Sequence, residues 1–120
     1  MKKEQIFVFS VQEKELNWQY KEYNFSLPES TEQLLEIDKE MNISVIHARI
    51  DLIIEKKVIP IYVKNRNYKI LILLKKSEDN CFLLDYFCGV QKTLPAQDDL
   101  EILKKWCEIK NIQFSNGVRL

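Results

Sequence analysis

Residues suited to metal-dependent chemistry lie close together in the segment 47–65, HARIDLIIEKKVIPIYVKN, of this 120-residue chain. Asp51 offers a carboxylate to a divalent cation, and Lys64 closes the apolar run that follows it. Such chemistry needs two carboxylates close together, because together they hold the metal that activates a water molecule. The position two residues before Lys64 is Tyr62, a phenol, and no acid replaces it nearby. The second carboxylate of a metal site is therefore missing.

The same segment resembles the catalytic hairpin of the restriction-endonuclease-like nucleases, in which an Asp on one strand is followed by an acid-x-Lys on the next. The resemblance covers residues 47–65 and implies Asp51 as the first metal ligand and Lys64 as the closing base. Tyr62 stands where that family has an acid. We therefore expect no catalytic residue and no metal site here. A degenerate nuclease-like domain is kept only within an alternative function.

Residues 43–57 fit two kinds of secondary structure. As a strand, they alternate apolar and polar side chains from Ile46 to Ile54. As a helix, they continue an apolar stripe with a spacing of three or four residues. That stripe consists of Leu34, Ile37, Met41, Val45, Ala48 and Leu52. Pro60 argues against pairing this segment with residues 58–64, because proline cannot donate to a ladder. The pattern favours a helix, kinked near Asn42, which would remove the hairpin.

The other reactive side chains form no catalytic set. His47 is the only histidine, and its neighbours at helical spacing give no nucleophile arrangement. Cys81, Cys88 and Cys107 lack the spacing of a zinc site, so we expect them to be small apolar fillers. With two glycines in the chain, no glycine-rich phosphate loop is present. We therefore expect a protein that is not an enzyme and that uses no cofactor.

The pattern of apolar residues predicts one α+β domain over residues 1–120. The predicted order is ββ–α–βββ–α, with a possible short last strand, forming an antiparallel sheet with its helices packed on one face. Strand 68–76 is apolar on both faces in its middle, so we expect it at the centre of the sheet. The predicted strands are 5–11, 17–26, 59–64, 68–76, 81–87 and 112–115.

Local signals indicate where the turns and helices lie. The apolar face switches within 17–26, which predicts a bulge near residues 21–22. Two pairs have the spacing of a capping box, which marks the start of a helix. These pairs are Ser30 with Gln33, and Asp98 with Glu101. The second pair opens a predicted helix over 98–110, whose core-facing side chains are Leu100, Leu103, Trp106 and Cys107.

The composition is typical of a soluble protein. Hydrophobic residues make up 46% and charged residues 30%, an ordinary balance. The longest apolar run, residues 70–74, falls far short of the roughly 20 residues of a membrane helix. The N-terminal stretch MKKEQIFVFSVQEKE makes a poor signal peptide, and an odd number of cysteines suits a reducing compartment. We expect a cytoplasmic protein without membrane association.

Charge alternates in blocks along the chain, although the formal net charge is zero. Residues 29–40 hold five acids and one base, and residues 49–76 hold eight bases and two acids. Residues 78–101 hold six acids and one base, whereas residues 102–120 hold four bases and one acid. Surface patches of both signs steer partners and set specificity.

A small domain of this kind is suited to binding another protein. We expect an immunity or antitoxin-type inhibitor, of the sort common in bacteria, that neutralises a toxin domain by covering its basic active-site cleft in a tight stoichiometric complex. Acids would meet the basic cleft, and aromatic side chains would anchor the interface. The residues expected to bind this partner are Glu78, Asp79, Asp85, Asp98, Asp99, Glu101, Trp18, Tyr20 and Tyr23.

An alternative function uses the basic hairpin 59–76 for nucleic-acid binding, or as a degenerate nuclease-like domain. Basic side chains there would neutralise phosphates, and tyrosines would stack on bases. The zero net charge argues against nucleic acid as the partner. The residues of this alternative are Lys64, Arg66, Lys69, Tyr62 and Tyr68. A third alternative is a structural subunit that dimerises through strand 59–64, taken as an edge strand.

Overall fold

The computed structural model describes residues 6–66, 68–77, 81–115 and 118. This part of the chain forms four α-helices, six strands and one 3₁₀ turn, which confirms the α+β class. The helices are α1 (Val11–Lys14), α2 (Thr31–Met41), α3 (Val45–Ile54) and α4 (Gln97–Ile109), and the 3₁₀ turn is Val90–Lys92. The strands are β1 (Trp18–Tyr20), β2 (Tyr23–Ser26), β3 (Val58–Lys64), β4 (Lys69–Lys76), β5 (Phe82–Gly89) and β6 (Gln113–Phe114).

The six strands form one sheet in the order β1-β2-β3-β4-β5-β6. Neighbouring strands run antiparallel as far as β5, but β5 and β6 run parallel. Between these two strands α4 carries the chain back along the sheet, which a parallel pair requires. The prediction of a purely antiparallel sheet is therefore wrong, and the sheet is mixed.

The prediction that β3 lies at an edge is also wrong, because β3 pairs with β2 on one side and β4 on the other. Its pairing with β2 covers only Tyr62 to Lys64. Pro60 lies outside that stretch and pairs with Leu73 of β4 alone. The missing N–H of proline is thus accommodated inside the strand without breaking a ladder on the β2 side.

Helices cover both faces of the sheet, which corrects the prediction of helices on one face. α4 packs through Leu103, Trp106 and Cys107 on the face that carries Ile70, Ile72 and Leu74 of β4. α2 and α3 pack on the opposite face, against Leu71 and Leu73 of the same strand. Since β4 is apolar on both sides, each side needs its own cover from water. We call these the α4 side and the α2–α3 side.

The prediction of a first strand near the N-terminus is wrong. Of the predicted strand 5–11, the described residues form only one bridge, Ile6 with Ser30, before α1 begins. Ser10 and Glu13 form a reciprocal capping box that starts this short helix. Both strands of the first hairpin instead lie within the predicted strand 17–26. The switch of face near residues 21–22 is a two-residue turn, in which Lys21 has a φ of 53°.

Residues 43–57 are mainly helical, as predicted, but α2 and α3 are separate helices. Asn42 and Ser44 between them both adopt the left-handed conformation, with φ of 55° and 59°. Because this turn rotates the second helix, the predicted apolar stripe holds as far as Val45, the first residue of α3, and fails beyond it. Ala48 and Leu52 are exposed, and α3 packs inward through residues that include Ile46 and Ile53.

The starts of α2 and α4 show one correct and one wrong prediction. Ser30 caps α2 and accepts a hydrogen bond from the backbone N–H of Gln33. α4 instead begins after Ala96 and has no side-chain cap, so the predicted capping box of Asp98 with Glu101 is wrong. None of the described helices has the length and apolar character that a membrane span requires.

Candidate functional site

Three half-exposed aromatic residues are held in fixed positions by the β1–β2 hairpin and α4. Trp18 stacks on Tyr20 with ring centroids 5.2 Å apart and planes 10° apart. Trp18 also makes a T-shaped contact with Phe25, which in turn stacks on Trp106 of α4. The exposed stack is therefore continuous with the core on the α4 side.

Two lysines surround the ring of Tyr20. The ammonium of Lys105 lies 4.3 Å from the ring centroid and donates a hydrogen bond of 3.1 Å to the phenol oxygen. Lys21 lies 5.4 Å from the same centroid. The hydrogen bond and charge of Lys105, with the charge of Lys21, lower the pKa of the Tyr20 phenol. The Tyr20 end of this surface is basic.

Tyr23 is fixed by a buried carboxylate. Its hydroxyl donates a 2.5 Å hydrogen bond to Asp99, which lies in the first turn of α4 and is 7% exposed. Burial, followed by the bond to Asp99, raises the pKa of Tyr23 to about 12. Asp99, predicted to bind the partner, is thus engaged within the protein and positions an aromatic side chain.

Asp98 and Glu101 are exposed on the first turns of α4, with Lys105 one turn further along. The spacing from Asp98 to Lys105 corresponds to about 10 Å along a helix axis. The surface therefore has an acidic end near Tyr23 and a basic end near Tyr20. We define the aromatic face as Trp18, Tyr20, Tyr23, Asp98, Glu101 and Lys105.

Asp85, a further acid that the sequence suggested, lies away from the aromatic face. Asp85 is at a bulge between β4 and β5, where it pairs with Arg49 and Lys75 at 3.4 Å each and accepts a hydrogen bond from Ser115. These bonds fasten α3, β4 and the segment after β6 to β5. Glu78 and Asp79 lie outside the described residues.

Four of the five residues of the alternative function line one surface depression. Its volume is about 380 Å³, and it opens at the end of the β3–β4 hairpin. We call it the basic depression, and it is lined by Glu40, Lys64, Asn65, Arg66, Tyr68, Lys69 and Val90. Tyr62, the fifth residue, is half-buried and does not line it. Nucleic-acid binding at this place stays a prediction.

The nuclease-like arrangement is absent from the fold. Asp51 lies on α3, so it is not on a strand paired with the strand of Lys64. The hairpin implied by the resemblance is therefore wrong. His47, also on α3, bonds to the buried carboxylate of Asp38 through Nδ1 at 2.6 Å. Within the described ranges, no group of three or more His, Cys, Asp or Glu side chains is placed to hold a metal ion.

Two of the three cysteines are buried, in line with the prediction of apolar fillers. Burial raises the pKa of the Cys107 thiol to about 12, and it also raises the pKa of Cys88. A raised pKa keeps a thiol protonated at neutral pH and suppresses its reactivity. Cys81 is half-exposed.

Comparison with known proteins gives no match among family models, curated proteins or solved structures.

Sequence reasoning missed two charged residues of these surfaces. Lys105 lies four residues after Glu101, and this helical spacing was a usable signal for a shared face. Glu40, which pairs with Lys69 beside the basic depression, gave no such signal. These two residues are 29 positions apart (69 − 40), and only the packing of α2 on the sheet brings them together.

Proposed function

We propose that this protein is an inhibitor that binds another protein through the aromatic face. In this proposal it acts as an immunity or antitoxin-type protein: it forms a tight stoichiometric complex with a toxin domain and covers that domain's active site. The observation that carries the proposal is the fixed Trp18–Tyr20 stack beside the exposed acids of α4.

This surface is favoured for binding because its aromatic side chains are already held in place before a partner arrives. An interface side chain that becomes immobile on binding costs about 0.5–1.5 kcal/mol in lost freedom. Trp18 and Tyr20 are already stacked, and Tyr23 is already bonded to Asp99. Aromatic side chains are also enriched among the residues that contribute most to protein interfaces. Much of the free-energy cost of immobilising these side chains therefore arises during folding and not on binding.

The charges of the aromatic face suggest how a partner would lie on it. Basic groups of a toxin cleft would face Asp98 and Glu101, while an acidic group would face Lys105 near Tyr20. In this proposal, the partner therefore has basic groups in its cleft and an acidic group about 10 Å away from them. That distance follows from the rise of the helix between Asp98 and Lys105.

The test is a pull-down with tagged protein from lysate of the source cell, treated with nuclease and washed at moderate salt. We expect one stoichiometric partner, whose toxic activity falls when the protein is added. The variant Tyr20→Ala should weaken the complex by roughly 2 kcal/mol, or about thirtyfold, as for an aromatic anchor. Glu101→Gln should mainly slow association.

The matched control is Glu36→Gln, which removes the same charge from an exposed position on α2, on the opposite side of the sheet. It should leave the affinity unchanged. Equal affinities for Tyr20→Ala and the control, measured with the purified partner, would rule out the aromatic face. A partner that binds stoichiometrically but keeps its full activity would rule out inhibition.

A further inference from the structure

Two lysines face each other at the basic depression. Lys64 of β3 and Lys69 of β4 are direct partners across the antiparallel pair. Their alternation with Val63 and Ile70, which point to the α4 side, places both lysines on the α2–α3 side. Like charges directly opposite each other destabilise a sheet, so an anion near these two lysines would stabilise it.

One anion is supplied from within the chain. The carboxylate of Glu40, near the end of α2, forms an ion pair with the ammonium of Lys69. Among the described residues, Lys64 has no ion-pair partner and is exposed. Arg66 reaches Glu22 at 3.9 Å, and both side chains are largely exposed, so that pair is weak. The depression keeps an excess of positive charge.

The wall of the depression is built by elements distant in sequence. Tyr68, which lines it, packs over Gly89 and hydrogen-bonds to Thr93 at 2.9 Å. A Cβ on Gly89 would lie 2.1 Å from the Tyr68 hydroxyl, so only glycine allows this arrangement. In the turn that follows, Gln91 and Lys92 both have positive φ, 57° and 61°. The turn that they form joins Gly89 to Thr93 and so places both partners of Tyr68.

We propose that the basic depression binds a phosphate group, held by Lys64 and Arg66. A phosphate carries up to about two negative charges and accepts bidentate bonds from a guanidinium, so it matches the unpaired charge better than a carboxylate. Glu40 acts as an internal competitor that holds Lys69 when no phosphate is bound. The site lies at the end of the β3–β4 hairpin, with Lys64 and Lys69 on the α2–α3 side and Tyr68 packed against the core of the α4 side. It is separate from the aromatic face.

Two sources offer such a phosphate, a free phosphate compound and a nucleic-acid backbone, and experiment distinguishes them. Calorimetric titration at low ionic strength uses inorganic pyrophosphate in one arm and a short single-stranded oligonucleotide in the other. Lys64→Gln and Arg66→Gln should each weaken binding about tenfold, as expected for a lost charge-assisted bond. Both side chains are exposed, so both variants should fold.

Glu40→Gln provides a test in the opposite direction. It releases Lys69 to the ligand, so affinity should rise, by about threefold for a partly exposed ion pair. The matched control, Lys104→Gln, removes one positive charge from an exposed position of α4 on the other side of the sheet. It should leave binding nearly unchanged.

Each outcome bears on the proposal. Pyrophosphate binding that depends on Lys64 and Arg66 supports a free phosphate compound, and oligonucleotide binding alone with the same dependence supports a nucleic-acid backbone. The absence of binding in both arms overturns the proposal, as does an equal loss in Lys104→Gln. Weaker binding by Glu40→Gln overturns the competitor role. None of these results changes the prediction for the aromatic face.

Discussion

Two nearly buried carboxylates, Asp38 and Asp99, lie on helices on opposite sides of the sheet, and they have different tasks. Asp38 is 3% exposed and accepts hydrogen bonds from the backbone N–H groups of Ile46 and His47, 3.3 Å each. Asp99 is 7% exposed and accepts one from the phenol of Tyr23. Asp38 thus stabilises the start of a helix, whereas Asp99 positions a side chain of the aromatic face.

This comparison shows that burial of an acid does not identify a functional site. Ser44 is at the N-cap of α3, but its left-handed backbone leaves it without a side-chain cap bond. Asp38, on the preceding helix, takes over that role from outside α3. Asp38 accepts bonds from two backbone N–H groups at the start of α3, besides its contact with the ring of His47, and so serves the fold. Asp99 meets a half-exposed aromatic side chain and can serve a surface.

The largest effect is expected from Asp38→Ala. It leaves two N–H groups at the buried start of α3 without their acceptor, at a cost of about 2–4 kcal/mol in the free energy of unfolding. Urea unfolding followed by circular dichroism measures this loss. Asp38→Asn keeps one acceptor oxygen and should lose less.

The variant His47→Ala distinguishes the backbone cap that Asp38 provides to α3 from the contact between Asp38 and the ring of His47. The ring of His47 is 68% exposed, so its removal should cost less than about 1 kcal/mol. If His47→Ala and Asp38→Ala lowered stability equally, the histidine contact rather than the backbone cap would hold α3, and the comparison with Asp99 would fail.

A smaller effect is expected from Tyr23→Phe, about 1 kcal/mol at neutral pH for one lost hydrogen bond. The pH dependence of the stability distinguishes Tyr23→Phe from the native protein more clearly. The pKa of Tyr23 is raised to about 12 from 10.0, so the unfolded chain loses this proton first as pH rises. The native protein should therefore lose stability from pH 10 towards 12, and Tyr23→Phe should lose less over that window.

Tyr86 and Cys107 also have pKa values of about 12, so some of this alkaline decline should remain in Tyr23→Phe. Unfolding measured at several pH values gives the slope directly. Identical slopes for the two proteins would mean that Asp99 does not hold the phenol of Tyr23.

Local signals in the sequence predicted the elements that depend on neighbours in the chain. The cap of α2 by Ser30, the helix over most of 43–57 and the strands around 59–64 and 68–76 all follow from spacing and composition. The start of α3 could not be predicted, because its cap comes from Asp38, six residues before the N-cap Ser44 (44 − 38).

The two-sided packing of the sheet was implied by one feature of the sequence. β4 is apolar on both faces, which requires cover on both, yet helices on one face were predicted. The aromatic face combines the hairpin with α4, and the bond between Tyr23 and Asp99 spans 76 positions. Periodicity within one element cannot reveal such a contact, so the residues were predicted singly and their grouping was not.

Hydrogen exchange on the purified complex with a captured partner tests the central claim most directly. The claim is that the aromatic face binds a protein. It predicts slower amide exchange in residues 18–26 and 97–105, and unchanged exchange in residues 64–69 at the basic depression. Protection confined to 64–69, with the aromatic face exchanging as in the free protein, would contradict it.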